Sequence, residues 1–377
     1  MPQIAPERYQ NYARFQKAVD PLADAVAAAF AQRSAGGGRR LLDTAIERGI
    51  DAVDDPPPAL VDLFRQLDSV PLWVDWERID RGGAVFLRSG VLGIAVLNLF
   101  SLPIMYSSAG GNKPLVFTGH LIKRAPRRLA ETARFVLASS RPGGLRRHGE
   151  GFKISVRVRL MHAQVRRLLW RSGRWKTEWG EPVNQLYMAG TNVALSAGLI
   201  EGMQRLGFRI SRADEEALLH MWRYSGYLSG VDPELAISTP EEGRLIGELL
   251  RDAEGPPDSD SRALLEALMS AAYHPLLEGK QWPAKLSYGL SRKLIGNELA
   301  DALGYPPSWW TPTIIATWPL FWLGSIAQQV IPGARGLATR VGDVIWDRMI
   351  EQVMAGAQAD FRPPSRLAKR PSEETKA

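Results

Sequence analysis

The sequence contains no cysteine, and histidine is scarce, with five in 377 residues. The absence of cysteine excludes disulfides, zinc–thiolate sites, iron–sulfur clusters and cysteine nucleophiles. It also removes redox pairing as a clue to the cell compartment. Any chemistry that needs a nitrogen ligand or a side chain that titrates near neutral pH therefore depends on very few positions.

Long uninterrupted apolar runs are also missing. Residues 84–106 contain Arg88 and Asn98, and residues 309–332 are cut by Pro319. A membrane-spanning helix needs about 20 consecutive apolar residues, so we predict that both stretches are core helices or an interfacial patch. The first residues lack a basic region followed by an apolar run. We therefore expect a cytoplasmic protein, with membrane association as the alternative.

What the sequence does contain is a basic, helix-rich pattern. The formal charge is +7, which permits attraction to anionic lipid or nucleic acid, but the charges are scattered rather than gathered into tracts. We predict no nucleic-acid partner. No strand-like alternation is visible, whereas Ser211 with Asp214 and Thr239 with Glu242 have the spacing of helix N-terminal caps. The protein is predicted to be all-α.

Composition shifts suggest four segments. Residues 1–50 are predicted to be an N-terminal helical extension, and a proline tract at 56–58 marks the entry to a core that spans 51–255. Residues 256–358 are predicted to be C-terminal helices packed on that core. The last segment, 359–377, is charged and proline-containing, so we predict a disordered tail.

One stretch, residues 151–171, carries the most suggestive spacing. In a helix that turns by about 100° per residue, Arg159, His162 and Arg166 lie on one face. A neutral imidazole is a common axial ligand of haem iron, and guanidinium groups suit carboxylates such as the haem propionates. The same spacing also fits a basic, solvated helix face with a half-buried histidine. Spacing alone leaves both interpretations open.

The middle of the chain resembles a known family. From about residue 69 to 235, close to half the chain, six strings occur in the order that is typical of the family of latex-clearing (rubber) oxygenases and the fungal oxygenase MpaB. The strings are SVPLWVDWERIDRGG, GNKPLVFTGHL, RRLAETARFV, RVRLMHAQVRR, GEPVNQLYMAGTNVALS and LHMWRYSGYLSGVDPEL.

This resemblance implies an all-α fold with a globin-like core around a single haem b. In rubber-cleaving members, an arginine–histidine–arginine helix supplies the proximal ligand, and that pattern falls on Arg159, His162 and Arg166. His162 is accordingly predicted to be the metal ligand, and the two arginines to bind the propionates or to orient the helix. His220 is predicted to be packed and hydrogen-bonded instead.

The resemblance also implies a distal group formed by Arg128, Glu131 and Thr132. Glu131 stands where rubber-cleaving members have lysine. A lysine donates protons, whereas a carboxylate accepts them and can act as a base. A carboxylate base beside an arginine could deprotonate hydrogen peroxide and help to break its O–O bond. Peroxide-driven oxidation is therefore an alternative to the use of O2.

The sequence thus predicts a haem b oxygenase that acts on an apolar, unsaturated or isoprenoid-like molecule with O2. The alternative within enzymes is a peroxygenase or peroxidase that uses H2O2 with Glu131 as acid–base. Outside enzymes, the alternative is a haem or lipid carrier, or a membrane-surface protein that uses the apolar segment at 309–332.

Overall fold

The computed structural model describes residues 12–34, 36–118, 125–273, 282–308 and 312–354, together with Phe361 and Leu367. Within these ranges all repeating secondary structure is helical and no strand occurs, which confirms the prediction of an all-α protein.

The first nine α-helices run from the N-terminal segment to the helix that contains His162. They are α1 (Pro21–Phe30), α2 (Gly37–Arg48), α3 (Pro58–Asp68), α4 (Trp76–Ser89), α5 (Val91–Val96), α6 (Leu102–Tyr106), α7 (Ala109–Thr118), α8 (Ala125–Ser140) and α9 (Glu150–Arg171). A π-helical turn, Leu97–Ser101, joins α5 to α6.

Nine further α-helices complete the described fold. They are α10 (Gln185–Leu195), α11 (Ala197–Arg205), α12 (Arg212–Leu228), α13 (Pro240–Glu254), α14 (Ser259–Tyr273), α15 (Trp282–Ile295), α16 (Asn297–Ala302), α17 (Pro312–Val330) and α18 (Ala334–Met354). The predicted caps are present: the Ser211 hydroxyl accepts from the Asp214 amide, and Thr239 with Glu242 forms a reciprocal capping box.

Helix α9 is the longest described helix and organises its neighbours. It packs against α1, α8 and α12. No proline or internal glycine interrupts it after Gly151, so the 22 residues form one uninterrupted helix, as predicted. A Cβ at Gly151 would stand 2.7 Å from the Cα of Ser139, so this glycine permits the close approach of α8 and α9. The packing of α8 against α9 determines where the candidate residues of the two helices lie relative to each other.

The segment predicted as an N-terminal extension contributes directly to this packing. Asp20 caps α1 by accepting from the amide of Ala23, and Ala23 and Val26 are fully buried. The same helix contacts both α3 and α9. Helix α1 is therefore part of the wall around α9.

The apolar stretch at 84–106 lies largely in the core, where Phe86, Val96 and Phe100 are buried. Among the described residues, no single helix has the length and apolar character of a membrane span. One pair of helices, Trp76–Ser89 with Val91–Tyr106, passes that test jointly but is bent by 85°.

Two residues of the segment predicted to be a disordered tail are described. Phe361 is buried against Ala138 and Ile154, and Leu367 packs beside the cluster that contains Phe117. The other residues of that segment lie outside the described ranges.

Candidate active site

His162 lies in the middle of α9 and is half-buried. Its Nδ1 is buried and has no hydrogen-bond partner among the described residues. Burial, together with the positive charges of Arg166 and Arg128, lowers the pKa of the imidazole to about 4. The ring is therefore neutral at physiological pH, which is the form that binds a metal ion.

Arg159 is buried one turn before His162, and its guanidinium is fully engaged. Its Nε and Nη2 donate to the two carboxylate oxygens of Asp20 at 2.6 and 3.1 Å, and its Nη1 donates to Gln66 at 2.6 Å. Gly230, with φ +82°, lies against this pair, because a Cβ there would stand 2.2 Å from an Asp20 oxygen. The arrangement ties α1 and α3 to α9.

Arg166 lies one turn after His162 and is less completely paired. Its Nη1 donates to Asp24 at 3.0 Å and its Nη2 to the carbonyl of Val183 at 3.3 Å, while its Nε is buried without a partner. Burial disfavours both charged partners: it lowers the pKa of Arg166 and raises that of Asp24, and their mutual attraction opposes this only in part. Arg166 therefore keeps a donor that could bind an anionic group.

The predicted distal residues lie on α8, but the structure separates their environments. Glu131 is buried, and its two oxygens accept from Arg127 Nε at 3.2 Å and Arg128 Nη1 at 2.9 Å. Thr132 is exposed, and its hydroxyl donates to the carbonyl of Arg128. Of these three residues, Arg128 is the one whose positive charge lowers the pKa of His162. The structure thus brings α8 and α9 together through Arg128.

Tyr106, at the end of α6, was not predicted from the sequence. Its side chain is buried, burial raises the pKa of its hydroxyl, and the positive charge of Arg128 acts on it in the opposite direction. Arg128 is therefore within electrostatic reach of both Tyr106 and His162. No local motif marks this tyrosine, because its position depends on how α6 packs in the folded protein.

The other histidines differ from His162. His220 accepts a hydrogen bond on Nε2 from the amide of Asp75 at 3.1 Å and packs edge-on to Trp73, as predicted for a packed, hydrogen-bonded histidine. His148 occupies a positive-φ position in the loop between α8 and α9. His120 and His274 lie outside the described residues.

Two surface cavities lie elsewhere. One of about 320 Å³ is lined by His148, Phe152 and Tyr224, and one of about 380 Å³ by Lys113 and Trp179 among others. Within the described ranges no three histidine or acidic side chains cluster as a metal site would require. A cofactor whose metal needs a single axial protein ligand does not depend on such a cluster. The orphaned Nδ1 of His162 and the free Nε of Arg166 fit a haem of that kind.

The fold and the site together define an all-α protein with a neutral, half-buried histidine between two buried arginines on one long helix. Residues 76–326 match the family model described as "ER-bound oxygenase mpaB/B'/Rubber oxygenase, catalytic domain". Because this match covers more than half of the chain, the protein belongs to that oxygenase family.

The chain is also similar to two individual proteins. The chain is 27% identical over 300 residues to the rubber oxygenase of Streptomyces sp. (strain K30), a match that covers 73% of this chain and 67% of the relative. It also shares its fold with latex clearing protein LCP in the closed state, with a TM-score of 0.66 and 22% identity over 93% of this chain and 95% of the other.

Proposed function

We propose that this protein is a haem b-dependent oxygenase that oxidises or cleaves an apolar, unsaturated, isoprenoid-like molecule with O2. The observation that carries the proposal is the neutral imidazole of His162, which has a pKa of about 4 and a buried, unpartnered Nδ1 and lies between two arginines on α9. An unsatisfied buried polar atom costs about 1–3 kcal/mol, and a bound group that engages the ring would offset that cost.

In this proposal His162 would hold the iron, and the two arginines would have different tasks. Arg166 would bind a propionate, because its Nε is the guanidinium donor that lacks a partner. Arg159 keeps α9 in position, because Asp20 and Gln66 already receive its donors. Bound haem would supply the redox chemistry with O2, and the protein would supply the axial ligand and the surrounding polarity.

Arg128 is the distal group that we expect to bind the oxidant, with Tyr106 beside it as a second hydrogen-bond donor. Glu131 holds Arg128 in place through the 2.9 Å hydrogen bond and receives Arg127 on its other oxygen. This pairing favours a positioning role for Glu131. It does not favour the alternative in which Glu131 takes a proton from H2O2, because both oxygens already accept from guanidinium groups.

The substrate class follows from the relatives. The curated relative is named a rubber oxygenase and the solved one a latex clearing protein, so each acts on a polyisoprene. We carry only the chemical class to this protein: an apolar molecule with a carbon–carbon double bond. Oxidative cleavage of one such bond by one O2 gives two carbonyl groups, and its atoms balance without a further reductant.

The test is turnover of a short unsaturated isoprenoid with two separated oxidants. One arm supplies O2 and catalase without peroxide, and the other supplies H2O2 under anaerobic conditions. We expect carbonyl products in the first arm and none above background in the second. Product formation in the peroxide arm alone would contradict the proposed use of O2, and none in either arm would contradict the proposed substrate class.

A further inference from the structure

Helix α17 presents an apolar stripe to solvent. Leu320, Leu323 and Val330 recur at helical spacing and lie within roughly a quarter of the helix circumference. The three side chains are 57 to 68% exposed. The opposite side of the helix contacts the protein, since Ser325 accepts from the amide of Arg209 and Trp318 lies against Gly207.

Helix α18, which contacts α17, also exposes apolar side chains. Leu337, Val341 and Val344 also share one face and are 47 to 65% exposed. Ile331, in the turn between the two helices, is exposed as well. We call these seven residues the hairpin patch. Single exposed apolar residues are ordinary, but seven on two adjacent helices and their connecting turn form a surface of the kind that binds a partner.

The inner face of α18 fixes this orientation. Trp346 is buried against Phe86, and a Cβ at Gly342 would stand 1.8 Å from the carbonyl oxygen of Leu87. Arg141 also binds Asp343 at 2.7 Å from that side. The hairpin patch therefore cannot turn inward without loss of these contacts.

Positive charge accompanies the patch. Arg340 and Arg348 lie on the same face of α18 as Leu337 and Val344, and Arg335 is exposed near the turn. Within the described ranges none of these three guanidinium groups has a salt bridge to a carboxylate. No acidic residue occurs from 312 to 342. The next two on α18, Asp343 and Asp347, pair with Arg141, and Glu351 follows them on the face that carries Arg340 and Arg348.

From this combination we infer that the hairpin patch docks on the surface of an anionic lipid bilayer. Apolar side chains flanked by arginines are the composition of interfacial helices, in which burial of the apolar face and attraction to anionic headgroups act together. A second copy of the chain fits less well. A two-fold contact through the same surface would bring the unpaired arginines of both copies together, whereas anionic lipid provides the opposite charge.

Flotation of the full-length protein with vesicles tests this inference without reference to catalysis. The vesicles are phosphatidylcholine alone, or phosphatidylcholine with phosphatidylglycerol at about 7:3, in low and high salt. We expect flotation with the anionic vesicles in low salt and at least tenfold weaker partition in high salt, because salt screens exposed charges. We also expect at least tenfold weaker partition with neutral vesicles.

Two double variants separate the contributions. Leu323→Ser/Leu337→Ser removes apolar area from the patch, and Arg340→Glu/Arg348→Glu reverses its charge; each is expected to reduce partition at least tenfold. Leu72→Ser is the apolar control, because Leu72 is fully exposed before the start of α4. Arg48→Glu/Arg65→Glu is the matched charge control on α2 and α3. Both controls are expected to float like the unaltered protein.

Three results would overturn the inference. They are absence of flotation with anionic vesicles, equal loss in the patch and control variants, and self-association of the unaltered protein that the patch variants abolish. The third result would assign the patch to a second copy. Circular dichroism of every variant confirms that a loss of flotation is not a loss of fold.

Discussion

At the scale of single residues, His162 and Glu131 show how burial and pairing decide chemistry. Burial keeps His162 neutral and leaves its Nδ1 without a partner. Glu131 is buried, but two guanidinium groups bind its oxygens. An unpartnered base and a fully paired acid suit different tasks, which are ligation for the first and positioning for the second.

The positioning role of Glu131 leads to a prediction for Glu131→Gln. The amide can accept a hydrogen bond from one arginine but carries no charge to hold two, so we expect Arg128 to lose its fixed position. Haem should be retained, while oxidation slows at least tenfold, which corresponds to about 1.4 kcal/mol of activation free energy. The measurement is the initial rate at saturating substrate, beside the absorption spectrum.

Thr132→Ala is the matched control on the same helix. Thr132 is exposed and its hydroxyl bonds to the backbone of its own helix, so we expect less than a twofold change in rate. If Glu131→Gln is as fast as the unaltered protein, Glu131 has no positioning role in the reaction. A large effect of Thr132→Ala would show that Thr132 faces the reaction after all.

At the scale of helices, the pair of Asp20 and Arg159 joins α1 to α9. Asp20→Asn should leave the guanidinium of Arg159 buried without its counter-charge. We expect the free energy of unfolding to fall by about 3–5 kcal/mol, measured by urea denaturation of the apoprotein. Asp24→Asn is the control, because Asp24 is 31% exposed and pairs with Arg166 through one hydrogen bond; about 1 kcal/mol is expected there.

A double variant isolates the contribution of the pair. Asparagine caps a helix about as well as aspartate, so the loss expected for Asp20→Asn comes from the ion pair rather than from the cap of α1. Adding Arg159→Met should therefore recover part of the stability that Asp20→Asn removes, since the buried charge is gone. Equal losses in Asp20→Asn and Asp24→Asn, or no recovery in the double variant, would contradict this account of how α9 is held.

The helices also show what could be predicted from sequence. Helix α9 was predictable because its 22 residues contain no interior breaker and its arginine–histidine–arginine spacing follows the helical period. The partner of Arg159 was not, because Asp20 lies 139 residues away and no local rule selects it among 40 acidic residues. Without knowledge of that partner, Arg159 was predicted to bind a propionate or to orient the helix. In the structure it is bound to Asp20 and Gln66.

At the scale of the whole molecule, the two proposals rest on the site around His162 and on the exposed hairpin patch. The apolar content of 309–332 is visible in the sequence, and an interfacial patch was one of the alternatives. Which face of α17 is covered depends on tertiary contacts such as that of Trp318 with Gly207. Local composition does not predict these contacts. Likewise, tertiary packing brings Tyr106 within electrostatic reach of Arg128, and no local motif marks it.

The measurement that tests the central claim most directly is the absorption spectrum of the purified protein, with His162→Ala and His148→Ala prepared in the same way. With adequate haem supply during expression, we predict a Soret band in the unaltered protein and in His148→Ala, and a lost or strongly shifted band in His162→Ala. A colourless unaltered protein, or an unchanged Soret band in His162→Ala, would contradict the assignment of His162 as the axial ligand.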